Sequence, residues 1–545
     1  MNYLSKTVIV RQSFDFEAIN KQVFVLIVAI ILLIPALFIN LGELNLFFHN
    51  DEASRALVAL EMKLSGNIIT PTINGEYYLN IPPLYNWIIL GSTQVLGGFN
   101  EFSIRIPSVI FLIIFSLSIF ICLKPYIGYK KSFLVALLFI TSGYIFFWES
   151  FFSFVDFGFS CFVFLSFMSF YDGYRLKRFT QMFILSYLFA ATAFLMKGFP
   201  AIVFQVITIS VFLLIERKVK LLFSYKHLIG LCMFMAIVGL YLGLYSNFNS
   251  PKILLENLWN QSIQQSIIEH KSTYFWNHLL KFPGEILYHL LPWTILLICL
   301  FRNDFLKIIR INPFLKFSLI TFAVNILVYW VSPDFYPKNI LIILPFLLLL
   351  IVHFYSLDKE NNTIRFRLVN YVFLIAGTVI PLMFVAAPFV KGLASSDYAD
   401  IKVYLLFQVT FLTLLFMFKF RKQILLLFLV MVILLRIAFD WFVWPLRVEF
   451  VSHLKSEAIE IAGHAKDNEL RFLQKKNNYH ALSFYVSRER NQIIPIEKGP
   501  MQAGTYYLLL PSQRDSVIAA SIAVEEIQYF VVSNQNDSMY LVKRL

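Results

Sequence analysis

Four charged residues sit where a very apolar chain has little reason to carry charge. His49-Asn-Asp-Glu-Ala-Ser-Arg55 places two adjacent acids, Asp51 and Glu52, just beyond the first long apolar run. A lone acid, Asp156, lies between Phe151-Phe-Ser-Phe154 and Phe157, and a lone base, Lys197, lies in Phe194-Leu-Met-Lys-Gly-Phe-Pro200. An acid in such surroundings is costly unless it pairs or faces a wet cavity, which makes it a candidate for function. A carboxylate at a helix start stays ionised, so Asp51, with Glu52 beside it, can serve as a base or orient a hydroxyl. A lysine such as Lys197 can hold a phosphate as a point charge. Each residue also has a plainer structural reading. Asn50 or Asp51 would cap the following helix, Asp156 would pair with a nearby cation, and Lys197 would snorkel to the headgroups. Arg436 and Asp440, four apart in the last apolar run, read as a structural ion pair.

The elements that must position these residues follow from composition. Of 545 residues 59% are hydrophobic and 14% charged, against about 45–50% and about 25% in soluble domains. The mean hydropathy of +0.70 agrees. A soluble enzyme, a disordered chain and a nucleic-acid binder are excluded. The apolar runs are continuous and near span length, which points to a helical membrane protein rather than a barrel. The net charge of +13 reads as basic residues held in cytoplasmic loops. Cys122, Cys161, Cys232 and Cys299 lie inside apolar runs and read as small core residues, with no disulfide framework and no metal-ligand spacing. The run 23–41 is expected to be an uncleaved anchor.

Thirteen segments are expected to span: 23–42, 104–123, 131–148, 157–171, 180–196, 199–215, 227–247, 284–301, 314–332, 339–356, 368–390, 402–418 and 423–441. The apolar stretch 82–98 is assigned to the outer interface. The loops 124–131, 172–178, 216–226, 302–316, 358–367 and 419–422 then carry the Lys and Arg and lie inside. The N-terminus is inside and the C-terminus outside. Asp51, Glu52, Asp156, Lys197, Asp334 and Lys338 fall on the external face.

Residues 1–446 form the membrane domain. Its first external loop, 43–103, has a helix over 51–64 and a turn-rich Pro71-Thr-Ile-Asn-Gly75. Its second, 248–283, has an amphipathic helix through 261–268. Residues 447–545 are mixed in composition and predict a small external α/β domain, with a helix over 451–465 and strands at 493–496, 505–510, 527–532 and 539–542.

An ordered constellation resembles a known family. Asp51-Glu-Ala is followed by Leu60-Glu-Met62, Gly66, Pro71, Asn74-Gly75, Tyr78, Pro82-Pro-Leu84 and Trp87. Asn100-Glu101, Arg105-Ile-Pro-Ser108, Asp156 and Lys197-Gly198 continue it. It extends weakly to Pro292-Trp293 and Ser483-Phe-Tyr485. The chain is similar to the GT-C glycosyltransferases that use polyprenyl-phosphate sugars, in the dolichyl-phosphate-mannose-protein mannosyltransferase-like group that includes the lipid A aminoarabinose transferase. The resemblance implies about 13 transmembrane helices and a sugar donor on an isoprenoid phosphate. It implies an external acceptor hydroxyl of a lipid, protein or glycan, and inversion at the anomeric carbon. Asp51 would be the base or orienting group, with Asp156 positioning acceptor or sugar, and cations would steady the leaving phosphate. No nucleic-acid partner is implied. The site would face away from the cytoplasm at the cell inner membrane.

The sequence departs from that pattern at two places. Many relatives carry lysine immediately before the Pro-Pro pair, toward the donor phosphate; here Ile81 stands there. Relatives often place Arg-Tyr after Asp-Glu-Ala; here Ser54-Arg55 follows, with the arginine displaced by one residue. Lys197, Arg55, Arg105, Lys271 and Lys338 are the candidate substitutes. His49, His270 and His278 give no compact metal-ligand spacing, so neither metal nor cofactor is expected, although a divalent ion is the alternative. The competing function is a polytopic transporter or lipid-linked sugar flippase, which would show repeated halves and charges at the bilayer midplane.

Overall fold

In hydrocarbon every backbone N–H and C=O must find its partner within the chain, and long apolar runs do so by coiling into helices. The computed structural model describes residues 16–264, 272–331, 337–389, 398–466, 468–473, 479–532 and 537–545. Among the described residues seven helices are long and apolar enough to cross a bilayer. The number is nine if two bent pairs each count as one crossing, Tyr129–Ile140 with Gly143–Phe151 (49°) and Trp276–His289 with Trp293–Leu300 (113°). The helical membrane architecture is as expected, while the count of thirteen is not reached by this measure. Bending is one reason, since the run 284–301 contains the sharper of the two breaks. Length is another, since Val23–Phe38 and Pro200–Ile215 are apolar but short. The 82–98 stretch contains the Leu84–Val95 helix of 12 residues. Such a helix rises only about 18 Å, too little for a core of about 30 Å.

The chain divides into two compact units. The first is Met1–Ile39 with Leu368–Trp441. It contains the expected Arg436–Asp440 pair, fully buried with Nε and Oδ1 3.0 Å apart.

The second unit is Asn40–Arg367 with Phe442–Leu545, so the last hundred or so residues cluster with the stretch 40–367. The Asn50–Ser65 helix is followed by a hairpin of β1 (Thr72–Ile73) and β2 (Glu76–Tyr77), paired antiparallel. Asn74 and Gly75 turn it with φ of 52° and 75°, the left-handed pair that a two-residue hairpin requires and that Asn-Gly supplies at low steric cost. The C-terminal part carries β3 (Leu470–Phe472), β4 (Tyr506–Leu509), β5 (Val524–Val531) and β6 (Ser538–Arg544). They form one sheet in the order β3-β4-β6-β5, parallel only between β3 and β4. The expected strand at 493–496 is a single bridge, Ile496 to Phe472. The helices His480–Arg490 and Pro511–Ala519 were not expected.

Five buried hydrogen bonds fasten this part to the stretch 45–101. Asn45 Nδ2 donates to the Val451 carbonyl, 2.5 Å. The Tyr485 hydroxyl accepts from Leu46 N and donates to Glu101 Oε1, both 2.8 Å. Asn74 Nδ2 lies 3.1 Å from Ser483 Oγ and 2.9 Å from the Ile494 carbonyl. Glu61 completes the frame. Its carboxylate is fully buried and accepts from Thr72 Oγ1 (2.7 Å), Asn74 N (2.5 Å) and Gly75 N (3.2 Å), which locks the hairpin to the helix.

Candidate active site

Asp51 lies in the first turn of the Asn50–Ser65 helix, and Arg55 lies one turn later on the same side. The cap residue of this helix is His49, without a side-chain capping bond, so the expected Asn50 or Asp51 cap is not formed. Asp51 is exposed instead. Capping is used on the Glu101–Ile127 helix, where the Asn100 side chain accepts from Ser103 N at 2.8 Å and Ser103 Oγ accepts from Asn100 N at 3.1 Å.

Asp156 opens the Asp156–Arg175 helix, where the positive end of the helix dipole favours a carboxylate. Lys197 closes the Phe179–Lys197 helix. The chain then turns at Gly198 with φ 81°, a conformation that side-chain-bearing residues avoid. This turn brings Lys197 Nζ to 2.5 Å from Asp156 Oδ1, and the ammonium also lies 5.4 Å from the centre of the Phe159 ring. The structural partner weighed for Asp156 from the sequence is therefore Lys197.

Asp51, Arg55, Asp156 and Lys197 line one cavity of about 270 Å³. Tyr78, Asn80, Ser153, Gln261 and Asn339 complete its polar lining, with Ile81, Phe154 and Val155 as apolar members of the wall. Tyr78, Asn80 and Ile81 arrive from the strand side of the hairpin. Tyr78 lies under Arg55, with the guanidinium carbon 5.6 Å from the ring centre. Asn339 faces this cavity while the next residues, Ile340 and Leu341, line an apolar cleft with Ile145, Phe322 and Leu344. Adjacent residues of one segment thus line the charged cavity and the apolar cleft.

Two expected site residues are elsewhere, which corrects their assignment. Glu52, read as catalytic, and Arg105, read as a phosphate ligand, are both fully buried and absent from the cavity wall. They bond each other at two points, Nε to Oε1 at 2.7 Å and Nη2 to Oε2 at 2.8 Å, and Arg105 Nη1 donates to the Leu41 carbonyl at 2.9 Å. All the guanidinium nitrogens of Arg105 are thereby occupied. Glu52 Oε1 also accepts from Ser153 N at 2.9 Å. Ser153 Oγ donates to the Ile104 carbonyl at 2.7 Å and lies 3.0 Å from the Tyr85 hydroxyl, which therefore donates to it. The segment leading to Asp156 is held from both sides.

Lys271 and the side chain of Lys338 lie outside the described residues, as does Asp334. Among the described residues no group of three or more His, Cys, Asp or Glu gathers as a metal site. Sequence reasoning missed Tyr78, Asn80, Ser153, Gln261 and Asn339 as wall residues. Tyr78 was at least within the family-like stretch, whereas nothing local distinguishes Gln261 or Asn339 from other loop amides.

Residues 80–241 match the family of dolichyl-phosphate-mannose-protein mannosyltransferases. The chain is 28% identical over 213 residues to an uncharacterized protein of Aquifex aeolicus, covering 38% of this chain and 42% of that one. It is 27% identical over 274 residues to the undecaprenyl phosphate-alpha-4-amino-4-deoxy-L-arabinose arabinosyl transferase of Pseudomonas savastanoi, covering 48% and 46%. The aligned segments thus span less than half the length of these relatives. In structure the chain resembles ArnT of Cupriavidus metallidurans bound to undecaprenyl phosphate, with TM-score 0.69, 16% identity, and 96% and 98% of the two chains covered. The apo form of that protein gives 0.65. The resemblance drawn from the motifs is borne out, and the fold is that of the lipid A aminoarabinose transferase type.

Proposed function

We infer that this GT-C-fold membrane protein is a glycosyltransferase that moves a sugar from a polyprenyl phosphate to an acceptor hydroxyl. The observation that carries the reading is the cavity where Asp51 and Asp156, more than a hundred positions apart in sequence, share a wall with Arg55 and Lys197 beside an apolar cleft. A charged headgroup suits the cavity. The solved relative carries undecaprenyl phosphate.

In the proposed step the acceptor oxygen attacks the anomeric carbon as the bond from that carbon to the phosphate oxygen breaks. The proton of the acceptor hydroxyl passes to Asp51, and the electron pair of the broken bond leaves with the polyprenyl phosphate. One base and one leaving group imply inversion. Lys197 holds Asp156 in place for acceptor or sugar, and cavity cations offset the charge that develops on the phosphate. Metal assistance is not required by this scheme. The acceptor is a lipid, protein or glycan hydroxyl presented from outside the inner membrane, with the N-terminus in the cytoplasm and the C-terminal part external. The transporter or flippase alternative is not favoured, since relatives and fold are both of the transferase kind.

The test is transfer from a synthetic polyprenyl-phosphate sugar to envelope lipid or glycan acceptors by the purified full chain. Product of opposite anomeric configuration supports the reading. Movement of the lipid-linked sugar across proteoliposomes with no transfer would sink it.

A further inference from the structure

Arg55 differs from the other basic residues near the site. The residue is only 8% exposed, yet Nη1 has no hydrogen-bond partner and the residue makes no ion pair among the described residues. Its recorded partner is the Tyr78 ring, which supports the guanidinium from one side. The residue lines the charged cavity. Leaving a buried guanidinium nitrogen unbonded is expensive, because the water it gave up is not replaced. Such a group is stable where an anion regularly fills the gap. Arg105 and Lys197, by contrast, are already matched by Glu52 and by Asp156.

We propose that Arg55, stacked on Tyr78, is the residue that grips the phosphate of the lipid donor, and that Lys197 is a positioning residue for Asp156 rather than a phosphate ligand. The proposal rests on the glycosyltransferase reading and deepens it by dividing the two cavity cations between two tasks. The stacking holds the planar fork in one orientation, so little freedom is lost when two donors close on phosphate oxygens. Ile81 lines the same cavity, so a cation introduced there can reach an anion held by Arg55.

The test uses the purified full-length chain in detergent, with farnesyl phosphate and farnesol as probes and tryptophan fluorescence as the readout. Wild type is expected to prefer farnesyl phosphate strongly over farnesol. Arg55→Gln is expected to weaken farnesyl phosphate binding at least about tenfold and leave farnesol binding unchanged. That second probe separates a lost phosphate contact from a damaged fold. Adding Ile81→Lys to Arg55→Gln is expected to restore most of the affinity. Lys197→Met is expected to keep farnesyl phosphate affinity within about threefold of wild type. Arg55→Gln binding like wild type, or a loss confined to Lys197→Met, overturns the proposal while the transferase reading stands. A wild-type chain with no preference for the phosphate overturns that reading itself.

Discussion

Glu52 and Arg105 meet as a two-point ion pair with no exposed surface on either side chain, Nε to Oε1 at 2.7 Å and Nη2 to Oε2 at 2.8 Å. The same carboxylate takes Ser153 N. One buried group therefore ties the helix that carries Asp51 to the Glu101–Ile127 helix and to the segment that ends in Asp156. The residue following the candidate base acts as a strut between the two acids.

Breaking this pair from one side leaves the other charge stranded. Glu52→Gln is expected to cost about 3–5 kcal/mol, read as a lowered thermal midpoint in detergent with activity lost in parallel. The double change Glu52→Gln with Arg105→Met is expected to cost less than the sum of the singles. Strict additivity would mean that the two side chains do not act as a unit.

Asp51 is exposed, so Asp51→Asn should shift stability by no more than about 0.5 kcal/mol. Turnover should fall about 10²–10⁴-fold if a base is lost. Sugar transfer and thermal unfolding measured on the same preparation separate the two. Retained turnover removes Asp51 from the chemistry.

Lys197 is 21% exposed and its partner Asp156 4%, so the pair is only partly shielded. Lys197→Met should cost about 1–3 kcal/mol of stability, because a buried carboxylate loses its cation, while lowering turnover, because Asp156 loses its anchor. Lys197→Arg, which keeps the charge, should recover part of the rate. A turnover equal to wild type in the methionine variant would show that Asp156 needs no anchoring.

Glu61 makes stability depend on pH. Burial outweighs its three hydrogen-bond donors and pushes the carboxyl from 4.5 up to about 7. The folded state thus holds the proton more tightly than the unfolded chain. The contribution is full below about pH 4.5, is lost as pH rises through about 7, and amounts to on the order of 3 kcal/mol. Glu61→Gln is expected to flatten the thermal midpoint between pH 5 and pH 8 (roughly the window set by that shift). An unchanged slope in that variant would place the pH dependence elsewhere.

The candidate site was legible in the sequence where charge stood against an apolar background. Asp51, Asp156 and Lys197 were visible for that reason, and they do converge. Glu52 gave the same signal and Arg105 entered as a substitute phosphate ligand, but their partner was each other across 53 positions, and composition cannot reveal pairing at that distance. The turn at Asn74-Gly75 was legible because that pair turns by a known mechanism, but the two short strands it joins carried no pattern of their own. The 493–496 strand was misread because alternation alone does not supply a neighbour to bond with. The span count was the least legible property, since hydropathy registers apolar length and is blind to a break such as the 113° bend before Trp293.

Asn339 and Ile340 face different compartments from adjacent positions on the chain. The seam between salt-like and oil-like surroundings is therefore one residue wide. A ligand that is charged at one end and apolar at the other would meet both surroundings within the reach of a single side chain at that seam.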